Sequence, residues 1–252
     1  MSTQKTAAVL AIGDELLSGR TRDANMHYLA GWLTTRGVTL MEARIVPDDA
    51  GAIGEALNAL RARYDYVFTS GGIGPTHDDI TVEAIAAALG VPVIEHPEAA
   101  ARIRKYYAAR DIDVTPARMR MARTPQGAKL IPNPVSGAPG VMVENIFVMA
   151  GVPRIFEAML NAVEVEIEHG EVIHSCAATA KNMPESMLAD QLRDIQTALK
   201  GVTLGSYPID GDVKGVTIVA RSADEHLAEQ TINAVAAAMR ALGFEPEMED
   251  RK

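Results

Sequence analysis

The run Ser70-Gly71-Gly72-Ile73-Gly74-Pro75-Thr76-His77-Asp78-Asp79 sets backbone amides able to hold a phosphate beside two adjacent carboxylates. Three glycines within four positions let the backbone approach a ligand without a Cβ clash. The helix expected to follow offers unpaired N–H groups and the positive end of its dipole. Carboxylates at such a place repel a bound phosphate unless a divalent cation lies between them. An Asp just before a helix is very often only an N-cap, but of two in a row only one can cap, and the other needs a partner. No Lys-Ser or Lys-Thr follows the glycines, so this is not the nucleotide-binding P-loop, and it is not the dinucleotide fingerprint either.

Further acids end two other strand-like runs. Gly13-Asp14-Glu15 follows the apolar residues 7–12, and Pro47-Asp48-Asp49 follows residues 38–46. In open α/β sheets ligands bind outside the carboxyl ends of the strands, where both groups would stand. Each also has a plain structural reading, as a solvated turn or a helix cap; Asp23 is most simply the cap of the next helix, with Asn25 in reach of a ligand from its first turn. Convergence of Asp14, Asp48 and Asp79 would call for a divalent cation with oxygen ligands, Mg²⁺ or Mn²⁺. Such a cation neutralises a pyrophosphate, activates water and stabilises a leaving phosphate. The expectation is therefore that Asp79, Asp48 and Asp14 do the chemistry, with Asp79, Asp78 and Asp48 at the metal. Gly13, Ser70, Gly71, Gly72, Gly74, Pro75 and Thr76 would grip phosphate. His77 stands alone and reads as a surface residue. Arg102, Arg104, Arg110, Arg118, Arg120 and Arg123 form the one basic concentration, mostly a solvated helix face from which one or two could close over an anion. No nucleophile has a paired base, so covalent catalysis has no support.

The elements that must place these groups alternate. Strands are expected at residues 7–12, 38–46 and 65–69, and helices at 23–36, 50–63 and 80–89, the signature of a parallel sheet covered on both faces. Helices at 97–110 and 116–123 follow a short edge strand at 91–94 that contains Pro92. Residues 132–140, rich in proline and glycine, form a fixed loop between strands near 128–131 and 141–143. A strand at 146–150 leads through Pro153 into a helix over 154–163. A domain boundary follows the Glu-rich stretch 164–171, giving residues 1–170 and 171–252. The second part reads as strand, helix, two strands joined through Asp210-Gly211-Asp212, and a final helix over 223–242, with residues 245–252 frayed.

At 252 residues, with 48% hydrophobic and 23% charged content, the chain is ordinary for a globular protein with one good-sized domain and a small one. A formal net charge of −9 disfavours a nucleic-acid surface and favours a small phosphorylated ligand held locally. The single cysteine, Cys176, excludes an internal disulfide and points to a reducing cytoplasm without a zinc site. No stretch has the length of a signal peptide core or a membrane span.

Three blocks together resemble the molybdopterin-binding domain family, in its CinA competence/damage-inducible branch. They are Ala11-Ile12-Gly13-Asp14-Glu15-Leu16-Leu17-Ser18-Gly19, the run 69–81, and Pro132-Asn133-Pro134 through Ala138-Pro139-Gly140. The same blocks are similar to the N-terminal domain of eukaryotic FAD synthases. The resemblance spans residues 5–170, and the remainder resembles the small KH-like domain of CinA proteins. It implies a three-layer α/β fold with a mostly parallel sheet, often in a homo-oligomer, binding molybdopterin or a nucleotide over the glycine loop. It implies functional acids at Asp48 and Asp79, and ligand contacts from Ser136, Gly137 and Pro139. In this branch the domain is associated with hydrolysis of nucleotide pyrophosphates such as ADP-ribose, dependent on Mg, Mn or Co. A binding module without chemistry and an adenylyltransferase of molybdenum cofactor biosynthesis are the alternatives. The amidase domain of full-length CinA proteins is not expected in this chain. Two departures from the family pattern stand out. Ser136-Gly137 replaces a Gly-Thr pair, and Ala150-Gly151-Val152-Pro153 replaces Pro-Gly-Pro-Pro.

Overall fold

The computed structural model describes residues 4–211 and 213–249. It divides into two compact units, meeting in sequence at Gly170 and Glu171. The first begins with β1 (Lys5–Ile12), α1 (Asp14–Leu17), α2 (Asn25–Thr34), β2 (Val38–Val46), α3 (Ala50–Arg61), β3 (Tyr66–Ser70) and α4 (Thr81–Leu89). It continues through β4 (Val93–Glu95), α5 (Pro97–Ala108), α6 (Pro116–Arg120), β5 (Arg123–Pro125), β6 (Lys129–Ile131), β7 (Gly140–Val143), β8 (Ile146–Met149) and α7 (Pro153–Ala162). The main sheet has the order β2-β1-β3-β8-β7-β6. Its first four strands are parallel, whereas β7 and β6 run antiparallel at one side.

The two-residue period of a strand explains the layers. Ala7 and Val9 of β1 enter a core with Leu29, Trp32 and Leu33 of α2 and Phe156, Met159 and Leu160 of α7. Ala8, Leu10 and Ile12 point the other way, into Ile53, Leu57 and Leu60 of α3 and Ile85 of α4. Helices therefore cover both faces. Central strands packed on both sides read as continuous apolar runs, as β1 and β3 do. Phe68 and Phe147 stack across neighbouring strands with centroids 4.9 Å apart.

Strand order creates the crevice. From β1 the chain passes to β2 on one side and then to β3 on the other, so the turns after β1 and β3 lead away from each other at the carboxyl edge of the sheet. Within this three-layer α/β frame two local expectations change. β4 pairs with β5 in a separate antiparallel ribbon, Val93 opposite Pro125, instead of joining the main sheet. The helix expected over 116–123 ends at Arg120 because Arg123–Pro125 is taken by that ribbon.

The second unit contains β9 (His174–Lys181), α8 (Ala189–Ala198), β10 (Val202–Ile209), β11 (Gly215–Ser222), α9 (Glu225–Ala241) and β12 (Glu247–Glu249). Its antiparallel sheet has the order β10-β11-β9-β12. Glu247–Glu249, expected to fray, instead pairs with Ala177, Ala178 and Thr179 of β9, and Lys181 meets Glu247 at 2.6 Å. Asp212 of the β10–β11 connection and residues 250–252 lie outside the described residues. Among those described, no helix is long and apolar enough to cross a membrane.

Candidate functional site

A cleft of about 450 Å³ opens at the carboxyl edge of the main sheet. Gly13, Asp48, Gly71, Gly72, Gly74, Pro75, Asp78, Asp79 and Ser136, all named from sequence, line it. Its apolar part is formed by Ile73, Met121, Val152, Ile155 and Met159.

The glycine loop is built differently from the expectation. Gly71 and Gly72 have φ of 111° and 68°, and a Cβ on either would collide with the protein itself, with the Ile12 carbonyl and the Thr81 hydroxyl respectively. Their missing side chains serve close packing of the loop. Thr81 closes the turn: its hydroxyl donates to the Gly71 carbonyl at 3.0 Å and its N–H to the Gly72 carbonyl at 3.0 Å. Neither Asp78 nor Asp79 caps α4, whose N-cap position is Ile80. The carboxylate of Asp79 instead accepts from the N–H groups of Gly74 (2.6 Å) and Thr76 (2.8 Å) and from the Thr76 hydroxyl. Asp79 thus braces the loop, and Thr76 is its partner rather than a free phosphate donor. The N–H groups of Gly72 and Ile73 have no intramolecular acceptor among the described residues.

The loop after β2 divides its two acids in the same way. Asp49 caps α3, accepting from the N–H of Ala52 at 2.8 Å. Asp48 faces the cleft and accepts from the N–H of Asp14 at 3.0 Å. Burial holds the Asp48 carboxyl above its usual value, and the negative charges of Asp14, Glu15 and Asp78 push the same way against the Asp14 hydrogen bond. Glu15, not Asp14, lines the cleft, its carboxylate folded back over Gly13. Asp78 is exposed at the rim of the cleft. Among the described residues no three His, Cys, Asp or Glu side chains meet closely enough to hold one ion, so the expected set Asp79, Asp78 and Asp48 does not form a ready cage.

The remaining candidates lie around this centre. Asn25 and Ser70 sit behind the wall, bonded to each other at 2.7 Å. Asp23 accepts from the N–H of Met26, holding the first turn of α2. In the 132–140 loop, Asn133 donates to the Ser136 hydroxyl at 2.6 Å and the Ala138 carbonyl at 2.8 Å, and Asn133 and Ser136 both line the cleft. Gly137 lies on the far side of that loop against Tyr106, and Pro139 lines a small cavity on the α4 side of the glycine loop. His77 is almost fully exposed. Of the arginines, Arg102, Arg104 and Arg123 pair with Glu98, Glu95 and Glu83, and Arg110 and Arg118 lie over Tyr106 and Tyr107. Arg120 alone reaches the glycine loop, donating to the Asp79 carbonyl at 3.4 Å.

Sequence reasoning passed over Glu15 and Asn133 as cleft residues, although both stood inside motifs already singled out. The apolar lining carried no local signal, because Met121 and Met159 come from distant elements.

A family model described as a probable molybdopterin binding domain matches residues 8–169. A protein of Pyrobaculum calidifontis is 34% identical over 241 residues, covering 91% of this chain and 92% of that one. A CinA-like protein of Gloeobacter violaceus is 33% identical over 249 residues, which is 94% of this chain and 58% of the relative. Among solved structures, the protein CinA of unknown function from Thermoplasma acidophilum is 36% identical, covers 64% of this chain and 97% of its own, and superposes with a TM-score of 0.60. With its glycine loop, its crevice at the sheet edge and these relatives, the chain belongs to the molybdopterin-binding domain family, in the CinA-like branch.

Proposed function

We propose that the cleft binds a phosphorylated pterin or nucleotide and hydrolyses a nucleotide pyrophosphate of the ADP-ribose or FAD kind with a divalent cation, Mg²⁺, Mn²⁺ or Co²⁺. A charge imbalance carries this reading. Glu15, Asp48, Asp78 and Asp79 line the cleft, and among the described residues no Lys or Arg does. Arg120 reaches the glycine loop from the adjoining cavity and offsets at most one of these four charges, so a phosphate in the cleft calls for a cation as well. Mg²⁺-like ions are commonly held by one or two carboxylates, water and the substrate phosphates together, which Asp48 with Asp78 can provide without a three-acid cage. The Asp48 carboxyl is raised first by burial and then by the charges of Asp14, Glu15 and Asp78, a setting that a bound cation would relieve.

When bound, the ion would screen the phosphates and acidify water. The chain's own groups supply the rest. The amides of Gly72 and Ile73 orient one phosphate, and the apolar residues Ile73, Val152 and Ile155 cover a planar ring. Glu15 is the carboxylate left to take the proton of the attacking water. Water adds to one phosphorus, the bond from that phosphorus to the bridging oxygen breaks, and the oxygen leaves on the other phosphate. ADP-ribose and water would give AMP and ribose 5-phosphate. The reading also includes a cytoplasmic homo-oligomer.

Incubation of the chain with ADP-ribose or FAD and each metal, followed by chromatography of the nucleotides, tests it. AMP should appear, and Asp48→Asn should lower its rate by about a hundredfold or more. A second reading, binding without turnover, is favoured by the engagement of Asp79 within the loop. It gains the field if no nucleotide is released and the ligand only raises Tm. Consumption of ATP that depends on added molybdopterin would instead indicate adenylyl transfer.

A further inference from the structure

Asn25 opens α2 and is buried, with 4% of its surface exposed. Its amide nitrogen donates to the Ser70 hydroxyl at 2.7 Å and to the Gly151 carbonyl at 2.8 Å. Ser70 ends β3 immediately before the glycine loop, and Gly151 lies in the turn between β8 and α7. Gly71 and Gly151, next to these contacts, both line the cleft. The two walls touch there: a Cβ on Gly151 would stand 3.2 Å from the Gly71 Cα. Backbone pairing of β3 with β8, ending in the bond from the Gly71 N–H to the Met149 carbonyl, joins the two walls at their base, and this one side-chain amide ties them together beyond that point.

We infer that Asn25 is a positioning residue that sets the separation of the glycine loop and the Ala150-Gly151-Val152 turn, and so the fit of a phosphorylated ligand between them. This rests on the proposed binding reading. Both hydrogens of the amide nitrogen are engaged, so a carboxylate of the same shape is the sharpest probe. In Asn25→Asp an oxygen faces the Gly151 carbonyl, with repulsion in place of a bond. The walls would separate while the core beneath, made by Leu29, Trp32 and Leu33 of the same helix, stays packed.

The test has two arms. Amide hydrogen exchange on the full chain of Asn25→Asp should show the bonded amides of both walls, those of Gly71, Gly74 and Thr76 on one side and of Ile155 and Phe156, which donate to the Val152 carbonyl, on the other, exchanging about tenfold faster together, with α3 unchanged, as the loss of one buried hydrogen bond implies. With ADP-ribose and Mn²⁺, KM should rise about tenfold and kcat should change little, since ligand fit and not chemistry is altered. Ser70→Ala, which removes one of the two bonds, should show the same pattern more weakly, and it decides the matter should Asn25→Asp not fold. Faster exchange confined to one wall, exchange raised throughout the unit, or an unchanged KM would overturn the inference. If the wild-type chain turns over no ADP-ribose, the hydrolytic reading fails, and the exchange arm alone judges Asn25.

Discussion

Two loops of this molecule each carry adjacent aspartates, Asp48-Asp49 after β2 and Asp78-Asp79 after β3, and each loop treats its pair unequally. In the first, Asp49 caps α3 and Asp48 is left over the cleft, bonded to one backbone amide and surrounded by like charge. In the second, Asp79 is occupied by Gly74 and Thr76, and Asp78 is left exposed at the rim. One acid of each pair holds the backbone and the other presents charge to the cleft. Neighbouring acids at a strand end are therefore better read as a division of labour than as two ligands of the same metal.

Substitutions can break or sharpen this contrast, beginning with the scaffold. Gly71→Ala should be the most damaging to folding, because its Cβ meets the Ile12 carbonyl and its φ is left-handed; about 3 kcal/mol is expected, read from chemical denaturation. Asp79→Ala frees two loop amides and a hydroxyl and should cost about 2 kcal/mol, with ligand binding lost as the loop loosens. Asp49→Ala removes a helix cap and should cost about 1 kcal/mol while leaving ligand affinity close to that of the parent. If Asp49→Ala abolishes binding and Asp79→Ala does not disturb the loop, the assignment of structural partners is wrong.

Asp48→Asn should act in the opposite sense on stability. A carboxyl whose pKa is raised on folding favours the folded state below its ordinary value of 3.8, and that contribution is lost as pH climbs through the raised value. At neutral pH the ionised group is a burden, so Asp48→Asn should raise Tm at pH 7, with the gain vanishing below pH 3.8. Thermal melts across pH check this, and a lowered Tm at pH 7 would contradict it. Asp78→Asn, at an exposed position, should leave Tm unchanged.

Much of this architecture was legible in the residues. The apolar runs of β1 and β3 and the amphipathic spacing of α2 and α3 report burial directly, since period and packing face are the same fact. The three-layer frame and the crevice follow from them. A short strand was legible at 91–94, but its pairing with β5, and β12 at the edge of the second sheet, were not, because a three-residue strand has no period and nothing local names a partner distant in sequence. At the site, motif positions marked the correct loops but not the task of each side chain. Asp79 resembles a ligand until Gly74 and Thr76 are seen to claim it, and Asn25 shows its purpose only when Ser70 and Gly151 are brought to either side of it.

Calorimetric titration of ADP-ribose into the wild-type chain and into Asp48→Asn, with Mn²⁺ and again with EDTA, tests the central claim most directly. The account predicts binding that needs the metal and weakens by about tenfold or more when either the metal or the Asp48 carboxylate is removed. Equal affinity in all four titrations would contradict it.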